Sequence, residues 1–162
     1  MPDARAVLES WFEAMETRNI EKITELLAED ISVETESLKK PLTDKQVLRA
    51  ILARTMDAYQ SIRIDPRKIV SSGQDVAALV SLRVRFGADI DLMGEKLPTA
   101  GKSIDVVAAI FLEVNEAGKI ARIMRVRDTW GIIDQLGLAP ERVKEAMQKF
   151  EAALKEPRSR AA

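Results

Sequence analysis

The stretch that decides the fold is KSIDVVAAIFLEVNEAGKIARIMRVRD, residues 102–128. Two alternating apolar runs, KSIDVVAAIFLEV and KIARIMRVRD, flank NEAG, so period-two strands meet at a turn. A three-residue loop of Glu116, Ala117 and Gly118, with Gly118 left-handed beside a bulge, is the favoured connection. Asn115 then faces Lys119. Counting back along an antiparallel pair sets Val114 against Ile120, Ile110 against Met124 and Val106 against Asp128. In that register one face carries Ile104, Val106, Ala108, Ile110, Leu112 and Val114 with Ile120, Met124 and Val126, and only Arg122 and Asp128 interrupt it. The other face is mixed, holding Phe111 with Ile123, Arg125 and Arg127, and suits a subunit interface.

Two further runs, 61–70 and 74–86, extend the alternation upstream; in the second, Arg83 and Arg85 fall on the mixed face. Helical spacing governs the first half. Val7, Leu8, Trp11, Phe12 and Met15 form one stripe, Ile20, Ile23, Leu26 and Leu27 a shorter one. DISVETE (30–36) alternates as a strand, and LTDKQVLRAILARTM opens a third helix with Thr43 and Gln46 at capping-box spacing. Helices followed by a long-stranded, mostly antiparallel sheet describe an α+β domain. In PERVKEAMQKFEAALK, Val143, Met147, Phe150 and Leu154 form a narrow stripe, for packing on the domain, on a second subunit, or as a lid. Residues 1–138 are expected to form the domain, 139–156 its helical extension and 157–162 a frayed tail.

The chain has 162 residues, 25 Lys plus Arg against 26 Asp plus Glu, and no Cys or His. A net charge of −1 gives no attraction for nucleic acid. Without thiol or imidazole, catalysis falls to Asp, Glu, Lys, Arg, Tyr, Ser or Thr. The amino terminus carries acids and no continuous apolar core, and no run approaches a membrane span, so a cytoplasmic protein with no membrane partner is expected. The acids Asp89, Asp91 and Glu95 lack calcium-loop spacing, and no metal is expected.

GKIARIMRVRDTWGIIDQLG (118–137) resembles the carboxy-terminal signature of SnoaL-like polyketide cyclases. VRFGADIDLMGEKLPTAGKSIDV (84–106) is similar to that family's loop before its penultimate strand, and WFEAMETRNIEKITELLAEDI (11–31) to its opening helix pair. The resemblance implies an NTF2-like cone, with helices on the concave face of a curved sheet and a hydrophobic pocket between them. It implies cofactor-free acid–base chemistry, cyclisation or isomerisation of an apolar carbonyl compound, with Asp128 matching the catalytic aspartate. A homodimer through the mixed face is expected. Asp89 stands where the family often has His, and Met124 where it has an aromatic residue. Arg83–Val84–Arg85 lacks the first aspartate of the related epoxide-hydrolase pattern.

A carboxylate beside Val106 and Met124 would be desolvated and able to shuttle protons near neutral pH. The same aspartate, just before TWGIIDQL, is equally a helix cap. Trp11, Glu34, Tyr59, Val106, Met124 and Trp130 are candidate pocket residues; Glu34 or Glu36 could supply a second carboxylate, and Tyr59 a phenol for an enolate oxygen. The competing reading is a non-catalytic binding or assembly module of the same fold.

Overall fold

The computed structural model describes residues 2–155; the tail 157–162 lies outside them. Helix α1 (Ala4–Glu16) starts at Asp3, whose carboxylate accepts the Arg5 and Ala6 amides, and buries Leu8, Trp11 and Phe12. A short α2 (Ile20–Glu25) is capped by Asn19 and stops two residues earlier than its stripe suggests, because Leu27 already belongs to strand β1 (Leu27–Thr35). Helix α3 (Lys45–Ala58) is capped by Asp44 and not by Thr43: the Asp44 carboxylate accepts the Gln46 and Val47 amides. Aspartate one position nearer the helix outcompetes the hydroxyl.

Strands β2 (Tyr59–Ser72), β3 (Asp75–Phe86), β6 (Ser103–Val114) and β7 (Ile120–Arg127) form a curved sheet with β1, in the order β1-β7-β6-β3-β2. Only the β1–β7 pair is parallel. A small hairpin, β4 (Ile90–Leu92) and β5 (Glu95–Leu97), turns through Met93 and Gly94 at positive φ, where the sequence reads as a solvated loop. Helix α4 (Thr129–Leu136) ends at left-handed Gly137. Helix α5 (Pro140–Leu154) buries Ala146 and Phe150 and seats on the hairpin, where Glu95 accepts from Arg142 and Lys149. Its stripe therefore packs on its own chain.

The inner face of the sheet carries Val76, Ala78, Val80, Val84 and Phe86 of β3 with Ile104, Val106, Ala108, Ile110, Leu112 and Val114 of β6, all buried. Helix α1 lies against β2, β3 and β6, and α3 against β1 and β2. These helices close one core with the sheet. At roughly 25 cal/mol per Å² of apolar surface, this layer is the main stabilising contribution.

Candidate functional site

The β6–β7 turn forms as the sequence implies, but the register beyond it does not. Gly118 is left-handed (φ 76). The Asn115 amide donates to the Lys119 carbonyl at 2.8 Å. Val114 pairs with Ile120; the next pair is Glu113 with Arg122, leaving Ala121 as an extra, bulged residue. From there every β7 partner is shifted by one: Phe111 faces Met124, Ile110 faces Arg125 and Ala108 faces Arg127. A one-residue slip exchanges the two faces of a strand. Arg125 and Arg127 point to the inner face, and Met124 and Val126 point outward.

The physical reason is Arg122. Unbroken alternation would bury its guanidinium among Leu112 and Val114, at a desolvation cost of several kcal/mol. The bulge instead puts it on the outer face, where it donates to Glu113 at 3.2 Å and Glu34 at 3.0 Å. Ile120 and Ile123, three apart, are then both buried inside. The arginine that interrupts the apolar series was the sequence signal for this bulge.

Asp128 follows the shift. Its amide donates to the Val107 carbonyl at 3.3 Å, so it lies beside outward-facing Val107 and not Val106. The residue is exposed. One carboxylate oxygen accepts the Gly131 amide at 2.9 Å, capping α4. A Cβ at Gly131 would stand 2.3 Å from the other oxygen, so glycine there gives the capping carboxylate room. The inward-facing Asp128 expected from simple alternation is thus corrected to an outward-facing cap.

Of the six pocket candidates, Trp11 and Val106 are buried on the inner side and Tyr59 is packed against the core. Glu34 pairs with Arg122 on the outer face, and Met124 lines a shallow outer groove of about 360 Å³ with Val70, Ala77 and Phe111. Trp130 is 72% exposed. Those three do not line the inner face: Glu34 alternates outward beside inward-facing Val33 on β1, Met124 is turned out by the bulge, and α4 turns Trp130 to solvent.

What the inner face does gather is Tyr59, Arg125, Arg127 and Glu36. Tyr59 caps α3 and opens β2; its ring meets Phe86 edge-on at 5.4 Å, and Arg18 donates to its carbonyl at 2.6 Å. Glu36 follows β1, which runs beside β7, and accepts from Arg127 Nε at 3.0 Å. Arg125 stands between Thr35 and Ile110 on the neighbouring strands. Its Nε is buried with no hydrogen-bond partner among the described residues. Burial, and then the charge of Arg127, pull the Arg125 pKa down to about 10, partly offset by Glu36 and Tyr59. Burial pushes the Tyr59 phenol above its ordinary value of 10.0, against the pull of Arg127 and Arg125. At neutral pH the cluster therefore presents two cations, one carboxylate and a neutral phenol.

Arg83 and Arg85 lie on the outer face, held by Asp105 and Gln60, so they build no inner epoxide site. Asp89 accepts the Thr99 and Ala100 amides, and Asp91 the Gly94 amide, which ties down the β4–β5 hairpin. No helix among the described residues is long and apolar enough to cross a membrane.

Solved structures with this architecture include IdmH of Streptomyces antibioticus, which carries a polyketide-cyclase assignment. It is 19% identical, with a TM-score of 0.67, over 84% of this chain and 99% of that one. A Catenulispora acidiphila protein of ketosteroid isomerase-like fold is 15% identical, with a TM-score of 0.66, over 83% and 95% of the two chains. An LEH-like epoxide hydrolase of M. tuberculosis is 14% identical, with a TM-score of 0.65, over 82% and 88%. These likenesses establish the NTF2-like, ketosteroid isomerase-like fold. No curated protein matches the sequence. The SnoaL-like domain family matches residues 8–123, most of the chain, and with its fold and strand order this chain belongs to that family.

Proposed function

We propose that the chain is an acid–base enzyme of the SnoaL-like type that isomerises or cyclises a carbonyl compound held against the inner face of the sheet. The observation that carries this reading is the polar cluster of Tyr59, Arg125, Arg127 and Glu36 set into an otherwise apolar layer. Glu36 Oε1 is held by Arg127, which leaves Oε2 to take a proton from the carbon next to the substrate carbonyl. The C–H electron pair becomes the C=C bond of an enolate and the carbonyl π pair moves onto oxygen, where the neutral Tyr59 hydroxyl donates a hydrogen bond. Return of the proton at another carbon gives isomerisation; attack of the enolate on a second carbonyl gives cyclisation. In this reading the general-base role first attached to Asp128 passes to Glu36, because the Asp128 carboxylate caps α4 and its amide is bound to outward-facing Val107.

Incubation in D2O with a series of aryl 1,3-dicarbonyl probes, followed by proton NMR, tests the reading. Wild-type protein should exchange the acidic C–H above the buffer rate, Glu36→Gln should lower that exchange by about 100-fold, and Tyr59→Phe by about tenfold. Exchange that stays at the buffer rate for every probe favours a binding module and ends the enzymatic reading.

The outer face supports a homodimer as part of the same proposal. Leu79, Val107, Phe111 and Val126 are 37–58% exposed, and the bulge adds Met124 and Val126 where arginines were expected. The ion pairs Arg83–Asp105 and Arg122–Glu34 lie on the same face, offering both signs of charge to a second copy.

A further inference from the structure

We propose that the ligand of the inner site is a monoanion, a carboxylic acid whose carboxylate is bound by the Arg125 guanidinium. This rests on the inner face being the ligand site, as above, but replaces a purely apolar substrate by an amphiphilic one. Arg127, Arg125 and Glu36 together carry one net positive charge, and the Glu36 carboxylate is committed to Arg127 at 3.0 Å. Arg125 has no such partner: its Nε is buried and unpaired. A half-buried guanidinium with an unmet donor destabilises the fold, since a methionine or leucine at that position would pack against Ile110 without the desolvation cost. The planar Nε/Nη fork matches a carboxylate with two parallel hydrogen bonds, which a neutral ester or ketone cannot accept as strongly. A monoanion would bring the cluster to neutrality, whereas a dianion would overcharge it. The inner face beyond the cluster is apolar, at Leu82, Val106 and Ile64, so the rest of the ligand is hydrocarbon or aromatic.

The test is equilibrium binding of a series of 4-oxo-4-arylbutanoates and their methyl esters to the full chain at pH 7, by calorimetry and thermal shift. Wild type should prefer acid over ester by about tenfold or more, and Arg125→Met should bring the two within about twofold. Unliganded Arg125→Met should melt at the wild-type temperature or above, because no partner is orphaned. Arg125→Lys, which keeps charge but not the fork, should fall between the two. Equal binding of acid and ester by wild type, no binding of any acid in the series, or a lowered melting temperature with the preference intact in Arg125→Met would each overturn the proposal. Glu36→Gln separates it from the catalytic reading: proton exchange should fall while the preference for acid persists. Exchange on neutral esters with no dependence on Arg125 would sink the anion site and leave the chemistry standing.

Discussion

Strands β6 and β7 lie side by side and obey opposite rules. On β6, apolar residues point inward and Asp105 and Glu113 outward, the ordinary alternation of a sheet with one buried face. On β7 beyond the bulge, Arg125 and Arg127 point inward and Met124 and Val126 outward. The comparison separates two jobs. A conventional strand holds the core, and an inverted one gives polar groups to the interior and apolar groups to the exterior, as the proposed ligand and second copy would respectively need.

The strongest way to break the comparison is to exchange faces on β6. Leu112→Asp buries a charge at a position 1% exposed and should cost about 3–5 kcal/mol in denaturant unfolding. Phe111→Asp, one residue along, is 44% exposed and should leave the monomer folded. Its effect should instead appear in the proposed homodimer, weakened by about 2 kcal/mol, or some thirtyfold, in sedimentation equilibrium. Retention of full dimer affinity would remove the outer face as the interface.

Asp128→Ala should cost about 1 kcal/mol of stability, the loss of a helix cap, with deuterium exchange intact. Exchange abolished without loss of stability would restore Asp128 as the base. The smallest effect is a titration. Tyr59 is the only tyrosine in the chain, so tyrosinate absorbance reports it alone. Its ionisation should lie above 10.0, and Arg125→Met should move it higher still by removing a nearby positive charge. In linkage terms, the unfolded phenol loses its proton first above 10.0, so Tyr59 makes stability fall as pH rises there. Arg125 acts oppositely above about 10, up to the ordinary guanidinium range, because the unfolded chain then holds the extra proton. A Tyr59 that titrates at its ordinary value would disperse the cluster.

The helices and the five-stranded sheet were legible because their periodicities are long and their turn at Gly118 is locally encoded. The parallel β1–β7 pairing was not, since residues some ninety positions apart leave no local pattern. The facing of β7 was misread through one residue. Local alternation around Val106 and Asp128 was sound, and so was the hairpin, but the bulge at Ala121 lay between them. Burial of Arg122 was the inconsistency that could have exposed it. Glu36 and Tyr59 stood among the sequence candidates; Arg125 and Arg127 were assigned to the wrong side by the same slip.

Ala121 thus acts on the strand as a reading frame acts on a message. Its deletion would return β7 to unbroken alternation, bringing Met124, Val126 and Asp128 inward and sending Arg125 and Arg127 out. One codon would then rewrite both surfaces of the strand at once, exchanging an arginine-bearing inner face and an apolar outer face for an apolar, acidic inner face and a cationic outer one. Length variation at this turn, more than substitution along the strand, is the cheapest way for such a chain to change what it holds and what it meets.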